Sequence, residues 1–202
     1  MKFLSRALLV VVSTVMLPVM EASSADATLQ IADPKIIVLT APKDPTQAAV
    51  LIGRTNRDGL TLQLEIEGAE AMWMPMGVAS KWREHKPTKA ERYHVEFKAT
   101  DNTTKTRLPY ALVTFSATNT DTKKQVKLVL PPMWGGSGLH YSNNSALLGD
   151  GTYSARVTVA VPSFAREMKD KELWSKPIIS RFHFKLKDGM VVEVSEPTPP
   201  AS

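Results

Sequence analysis

Eight short runs rich in β-branched residues, most of them alternating apolar with polar side chains, are separated by turn-forming residues: 36–39, 60–67, 93–99, 110–119, 125–130, 152–161, 178–186 and 190–194. A period of two puts successive side chains on opposite faces, so each segment reads as a strand with one face on a core. Turn chemistry agrees. Asn119, Thr120, Asp121, Thr122 and Lys123 make a hairpin connection, and Lys187-Asp188-Gly189 carries the Asp-Gly signal of a tight turn. No stretch has a long amphipathic helical period; 165–174 is long enough for one or two helical turns. The pattern predicts an all-β sandwich.

Gly149-Asp150-Gly151-Thr152-Tyr153 leads into the 152–161 strand. A tyrosine just after a turn at the start of a strand is similar to the tyrosine corner of immunoglobulin-like sandwiches. The longest region without periodicity is 68–91, which holds Met72, Trp73, Met74, Met76, Trp82 and His85. A loop of that length in a compact domain is functional or disordered. The Met72–Met76 cluster reads as core or interface packing, or as a patch for a soft metal.

Lys2 and Arg6 precede an apolar run at 7–19, and Ala22, Ser23, Ser24 and Ala25 follow it. The run is shorter than the ~20 residues that span a bilayer. It reads as an export signal cut after Ala25, with an uncleaved anchor as the alternative. The expected organisation is a signal peptide at 1–25, one sandwich domain at 26–195 and a disordered tail at 196–202. No later segment is apolar enough for membrane insertion. The net charge of +5 is scattered, with no basic helix or aromatic-basic strand pair that would point to nucleic acid.

The chain has no cysteine. Disulfides, cysteine-built zinc sites and blue-copper thiolate centres are therefore excluded. Also absent are a catalytic triad, a phosphate loop and a dinucleotide fingerprint. Two segments carry ligand chemistry. In Tyr93-His94-Val95-Glu96-Phe97-Lys98 the alternation sends Tyr93, Val95 and Phe97 to the core and His94, Glu96 and Lys98 to the other face. The pair is either an ion site or a solvated charged face. In Pro131-Pro132-Met133-Trp134-Gly135-Gly136-Ser137-Gly138-Leu139-His140-Tyr141 the prolines end a strand, and the glycines allow a tight return from Met133 to His140. Each of those two residues alone reads as core filling. Together they form a ligand hairpin whose thioether and imidazole suit copper. His183 shares a face with Arg181 and Lys185 and reads as solvent-facing.

The segment from Tyr93 to Leu186 resembles the periplasmic iron-transport protein family typified by bacterial P19, found beside iron permeases. The matching residues are His94-x-Glu96, Pro132-Met133, His140-Tyr141, Asn143 or Asn144, Gly151-Thr152-Tyr153, Val161-Pro162, and Trp174 before Pro177. The resemblance implies an immunoglobulin-like, cupredoxin-related β-sandwich, a homodimer, and copper held by His94, Met133 and His140 with Glu96 as a further or variable ligand. It also implies periplasmic work with an inner-membrane iron permease, iron as cargo, and an open question of redox activity. The chain departs from that family in three places. The stretch after Pro162 has no histidine, Ser142 stands where the family has glycine, and the insertion around Trp82 is longer than the family's. The competing expectations are a copper-handling protein without an iron role, and a cell-envelope interaction module using Trp73, Trp82 and Trp134.

Overall fold

The computed structural model describes residues 32–147 and 149–199, all within one compact unit. The expected signal peptide lies outside the described residues. Thirteen strands account for nearly all regular structure: β1 (Ile36–Lys43), β2 (Val50–Arg57), β3 (Leu60–Gly68), β4 (Met72–Met76), β5 (Val78–His85), β6 (Tyr93–Asp101), β7 (Val113–Asn119), β8 (Gln125–Leu130), β9 (Pro132–Gly135), β10 (Gly138–Ser145), β11 (Gly151–Val159), β12 (Ile178–Lys187) and β13 (Met190–Ser195). A single 3₁₀ turn at Met168–Asp170 is what the 165–174 segment forms. No described helix is long and apolar enough to cross a membrane.

The strands make an all-β sandwich. One sheet runs β1-β13-β12-β11-β7-β8 and the other β2-β3-β6-β10-β9, with β4-β5 as a separate two-stranded arm. All the pairings within the sheets are antiparallel. The inward rows of both sheets form one core. Leu60, Leu62, Leu64 and Ile66 of β3 and Val95 and Phe97 of β6 meet Phe115, Val157, Phe182 and Phe184 of the facing sheet. Burying each of these side chains contributes roughly 1.5–3 kcal/mol, which is how a chain without disulfides is held.

Turn chemistry closes the hairpins. Asp188 and Gly189 both take positive φ, 52° and 78°, as a type I′ connection between β12 and β13 requires. Tyr153 is fully buried, stacks on Phe184 at 4.7 Å and donates its hydroxyl hydrogen to the Gly149 carbonyl at 2.6 Å. That is a tyrosine-corner contact. Leu130 ends β8 in the larger sheet, and Pro132 opens β9 in the smaller one. The two prolines therefore mark the point where the chain crosses between sheets.

The region expected to be an aperiodic loop at 68–91 contains the β4–β5 arm. Its residues do not alternate because Trp73 and Trp82, on the two strands, are both largely exposed. At the other end, the first residues of the expected disordered tail are tied down. The Glu196 amide donates to the Lys35 carbonyl, the Thr198 amide to the Arg54 carbonyl, and the Asn56 side chain to the Pro199 carbonyl.

Candidate metal centre

The smaller sheet has a second ordered face, directed away from the hydrophobic core. Strand register places its members. His94, Glu96 and Lys98 project there from β6. Glu67 lies opposite His94 on β3, and Glu65 opposite Glu96. On the other flank Asn144 pairs with His94 and Ser142 with Glu96 on β10, and Met133 of β9 lies opposite His140. This face is not solvated. His94 is fully buried, and His140, Glu96 and Lys98 are 5, 7 and 9 % exposed.

Between β9 and β10 the chain turns in two residues, with Gly135 paired to Gly138. Gly138 has φ 81°, a conformation that L side chains resist. Gly135 serves a different need, since a Cβ there would lie 3.2 Å from Cε1 of His140. The next residue, Tyr141, anchors β10 from the core side. Its hydroxyl donates to the Leu108 carbonyl at 2.8 Å and accepts the Ala111 amide at 3.1 Å.

Nδ1 of His140 is 2.9 Å from the Gly138 carbonyl oxygen, which can only accept. Nδ1 therefore carries the proton, and the lone pair of the neutral ring is on Nε2. Oε1 of Glu96 lies 3.9 Å from that Nδ1, and the Ser137 hydroxyl donates to the same oxygen at 3.0 Å. The sulfur of Met133 accepts the Ser142 hydroxyl at 2.9 Å. Ser142 thus stands on the ligand face, in contact with the thioether.

Lys98 is the cation of the face. Its ammonium bridges Glu65 and Glu96, 2.7 Å from the latter. Burial alone pushes the Glu96 carboxyl up. The hydrogen bond from Lys98, the charges of His140 and Lys98 and the Ser137 hydroxyl outweigh it, so the carboxyl is held below its usual range. Lys98 is raised for the reciprocal reason: burial opposes its charge, but the two carboxylates win. Glu67 goes the other way, raised by burial and then by the charge of Glu96.

The structure therefore brings Glu96 and His140 together, with Met133 on the adjoining strand. His94 lies on the same face in different company. Its Nδ1 is 3.0 Å from Oδ1 of Asn144 and its Nε2 is 3.6 Å from Oε1 of Glu70. Among the described residues, no ion pair or hydrogen bond joins His94 to Glu96, Met133 or His140. Glu67, Glu70 and His94 offer three ligand atoms within 4.8 Å of one another. The approach of Glu67 to His94 was not legible from the sequence, because the register that sets β3 against β6 is not written in either strand. Outside this face, His183 is bound to Glu193 at 3.1 Å and His85 lies 3.5 Å from Glu91.

A family model for Fe2+ transport proteins matches residues 72–187, more than half of the chain. UPF0423 proteins of Brucella abortus and Brucella melitensis are 33 % identical over 87 residues, which is 38 % of this chain and 47 % of theirs. The chain thus spans about half the length of the curated relatives it matches. Among solved structures, copper-reconstituted P19 of Campylobacter jejuni superposes with a TM-score of 0.58 at 22 % identity, over 69 % of this chain and 97 % of P19. FetP of uropathogenic Escherichia coli strain F11 gives 0.55 at 19 %, over 69 % of this chain and 96 % of FetP. At such identities the likeness is one of fold.

Proposed function

This chain belongs to the Fe2+ transport protein family, and from that premise we propose that it is a periplasmic, metal-binding accessory of iron uptake. It is exported on a cleaved signal, works as a homodimer, and binds iron for an inner-membrane permease. Copper is its resident metal, held by His94, the sulfur of Met133 and Nε2 of His140, with Glu96 as a further or variable ligand.

The observation that carries this reading is the pairing of Met133 with His140 across the β9–β10 hairpin, next to the buried Glu96 carboxylate. The donor set fits copper. Thioether sulfur suits Cu(I), imidazole suits both states and carboxylate favours Cu(II). Gly138 supports the assignment by binding the Nδ1 proton, which orients the ring and leaves Nε2 as the donor. Bound there, copper would supply a one-electron redox centre close to a carboxylate-rich surface. The chain's own part is to keep that centre among buried side chains, to orient His140, and to hold Glu96 ionised through Lys98 and Ser137. P19, which shares the fold, has been reconstituted with copper.

Equilibrium dialysis under anaerobic Cu(I) and aerobic Cu(II) tests the site. Stoichiometric copper is expected, and Met133→Leu should weaken Cu(I) more than Cu(II). Absence of stoichiometric copper, or an equal loss in both states, would overturn the ligand assignment. The iron role is tested separately by deleting the gene. A growth defect under iron limitation is expected, whereas copper sensitivity without that defect would turn the reading to copper handling.

A further inference from the structure

We propose that the open end of the sandwich, between the end of β2 and the start of β12, is a binding site for a small organic carboxylate, with Arg57 as its anchor. The site shares no residue with the metal face and does not depend on the copper reading.

The inward row of β2 changes character along the strand. Val50 and Ile52 are buried in the core. The pairing register with β3 then shifts between Leu51 and Gly53. Beyond the shift Gly53 pairs with Leu64, Thr55 with Leu62 and Arg57 with Leu60, and all three leucines are fully buried. Residues directly opposite each other in an antiparallel ladder share a face, so Thr55 and Arg57 point between the sheets. Gly53 makes room for the facing sheet, since a Cβ there would lie 2.8 Å from a ring carbon of Phe182. The opposing row on β12 carries Ser180 between Ile178 and Phe182. Ser180 is 3 % exposed, and its hydroxyl has no hydrogen-bond partner among the described residues.

Strand pairing explains why this end is open. β13 pairs with β12 only from Phe184 to Lys187, and the Ser195 hydroxyl accepts the His183 amide at 2.7 Å. The edge of β12 before that point is left without a strand. The guanidinium of Arg57 crosses to it from the other sheet and donates to the Ile179 carbonyl at 2.7 Å. A cavity of about 360 Å3 lies here, lined by Thr55, Arg57, Ser180 and Phe182, with the exposed Lys35 and Arg181 at its rim. Small-molecule sites have volumes of roughly 300–1,000 Å3.

Charge identifies the ligand. Beyond the Ile179 carbonyl, Arg57 has no hydrogen-bond or ion-pair partner among the described residues. A guanidinium drawn part-way out of water without a counter-charge is unfavourable. A carboxylate supplies that charge, and its plane matches the guanidinium fork. Lys35 pairs with Glu196 at 3.5 Å and Arg181 with Asp33 at 3.0 Å. Exposed pairs of this kind contribute little, so a second carboxylate group on the ligand displaces them easily. Leaving the buried Ser180 hydroxyl unpaired is also unfavourable, and a ligand oxygen beside it relieves that. The Phe182 ring gives the cavity an apolar wall, which favours an anion carried on a carbon skeleton over a bare inorganic one.

Tricarballylate, a tricarboxylate, is the probe, and inorganic phosphate is the comparison anion. Metal-free protein is titrated with each by calorimetry at constant ionic strength, and amide resonances are followed by NMR. Saturable binding of tricarballylate is expected, about tenfold tighter than phosphate, with shifts at Thr55, Arg57 and Ser180. Arg57→Gln should weaken it about tenfold and Arg181→Gln about threefold. Lys127→Gln removes an exposed charge from β8, at the far edge of the larger sheet, and should stay within about twofold of native. Circular dichroism checks the fold of each variant, and if Arg57→Gln is unfolded the exposed Arg181 decides. Absence of saturable binding, equal affinity for phosphate, equal loss in Lys127→Gln, or shifts confined to the metal face would each overturn the proposal. None of these results bears on the copper and iron reading, whose residues lie on the other face of the smaller sheet.

Discussion

Nζ of Lys98 sits 2.7 Å from Oε1 of Glu96, and both side chains are buried on the sheet face that points away from the hydrophobic core. A lysine is rarely buried unless paired. Here it is shared between two carboxylates on adjacent strands, β3 and β6. The ammonium acts as a built-in counterion for the Glu65–Glu96 pair.

Lys98→Met removes that counterion and leaves two close carboxylates partly desolvated. Breaking a buried pair from one side costs about 3–5 kcal/mol. Urea unfolding of the metal-free protein at pH 7 should show a loss of that order. Near pH 4 the loss should shrink as the carboxyls take up protons. An equal loss at both pH values would mean that the lysine matters only through its packed stem.

The two glutamates flanking His94 in space should give opposite pH slopes. Glu96 is held below the ordinary value of 4.5, so the folded state binds fewer protons than the unfolded state there. Its contribution is present above that value and is lost as pH falls through the folded pKa. Glu67 is raised above 4.5 by burial and by Glu96. The folded state then holds the extra proton, and stability falls as pH rises from 4.5 through the raised pKa. Without added metal, Glu67→Gln should therefore stabilise the protein at pH 7 by about 0.5–1 kcal/mol, the range of a screened charge. Glu96→Gln should flatten the acid limb of a melting-temperature profile measured between pH 3.5 and 7.

Ser142→Ala removes the hydroxyl that donates to the Met133 sulfur. A weak hydrogen bond to sulfur is worth roughly 0.5–1 kcal/mol. Under the copper reading, freeing that lone pair should tighten Cu(I) about two- to fivefold and leave Cu(II) nearly unchanged. Competition titration with a chromophoric Cu(I) chelator measures it. Unchanged Cu(I) affinity would mean that the hydroxyl does not compete with the metal for the sulfur.

Tyr153→Phe keeps the ring stacked on Phe184 and deletes the bond to the Gly149 carbonyl. The expected cost is about 1 kcal/mol, the net value of one such bond, with no effect on metal binding. Denaturant midpoints report the first, and a copper titration the second.

Strands that bury one face were visible in the chain because burial imposes alternation. Leu60, Leu62, Leu64 and Ile66 point inward while Thr61, Gln63, Glu65 and Glu67 point outward. β2 escaped because its pairing register shifts between Leu51 and Gly53, which breaks the alternation. The β4–β5 arm escaped because an exposed ribbon with proline and tryptophan on its strands carries no inside-outside code. Met133 and His140 could be linked from their spacing alone, since a short glycine-rich return brings its two ends together.

Local chemistry by itself determined the sandwich class, the hairpin turns, and which side of the 93–99 strand holds His94, Glu96 and Lys98. Only the tertiary structure decided what those three residues meet. Partners across a sheet are set by register and strand order, which join segments far apart in the chain. Glu67 faces His94 because β3 pairs with β6, and Glu70 reaches it because Asn144 of β10 clamps the Glu70 backbone. No spacing within one strand contains that information.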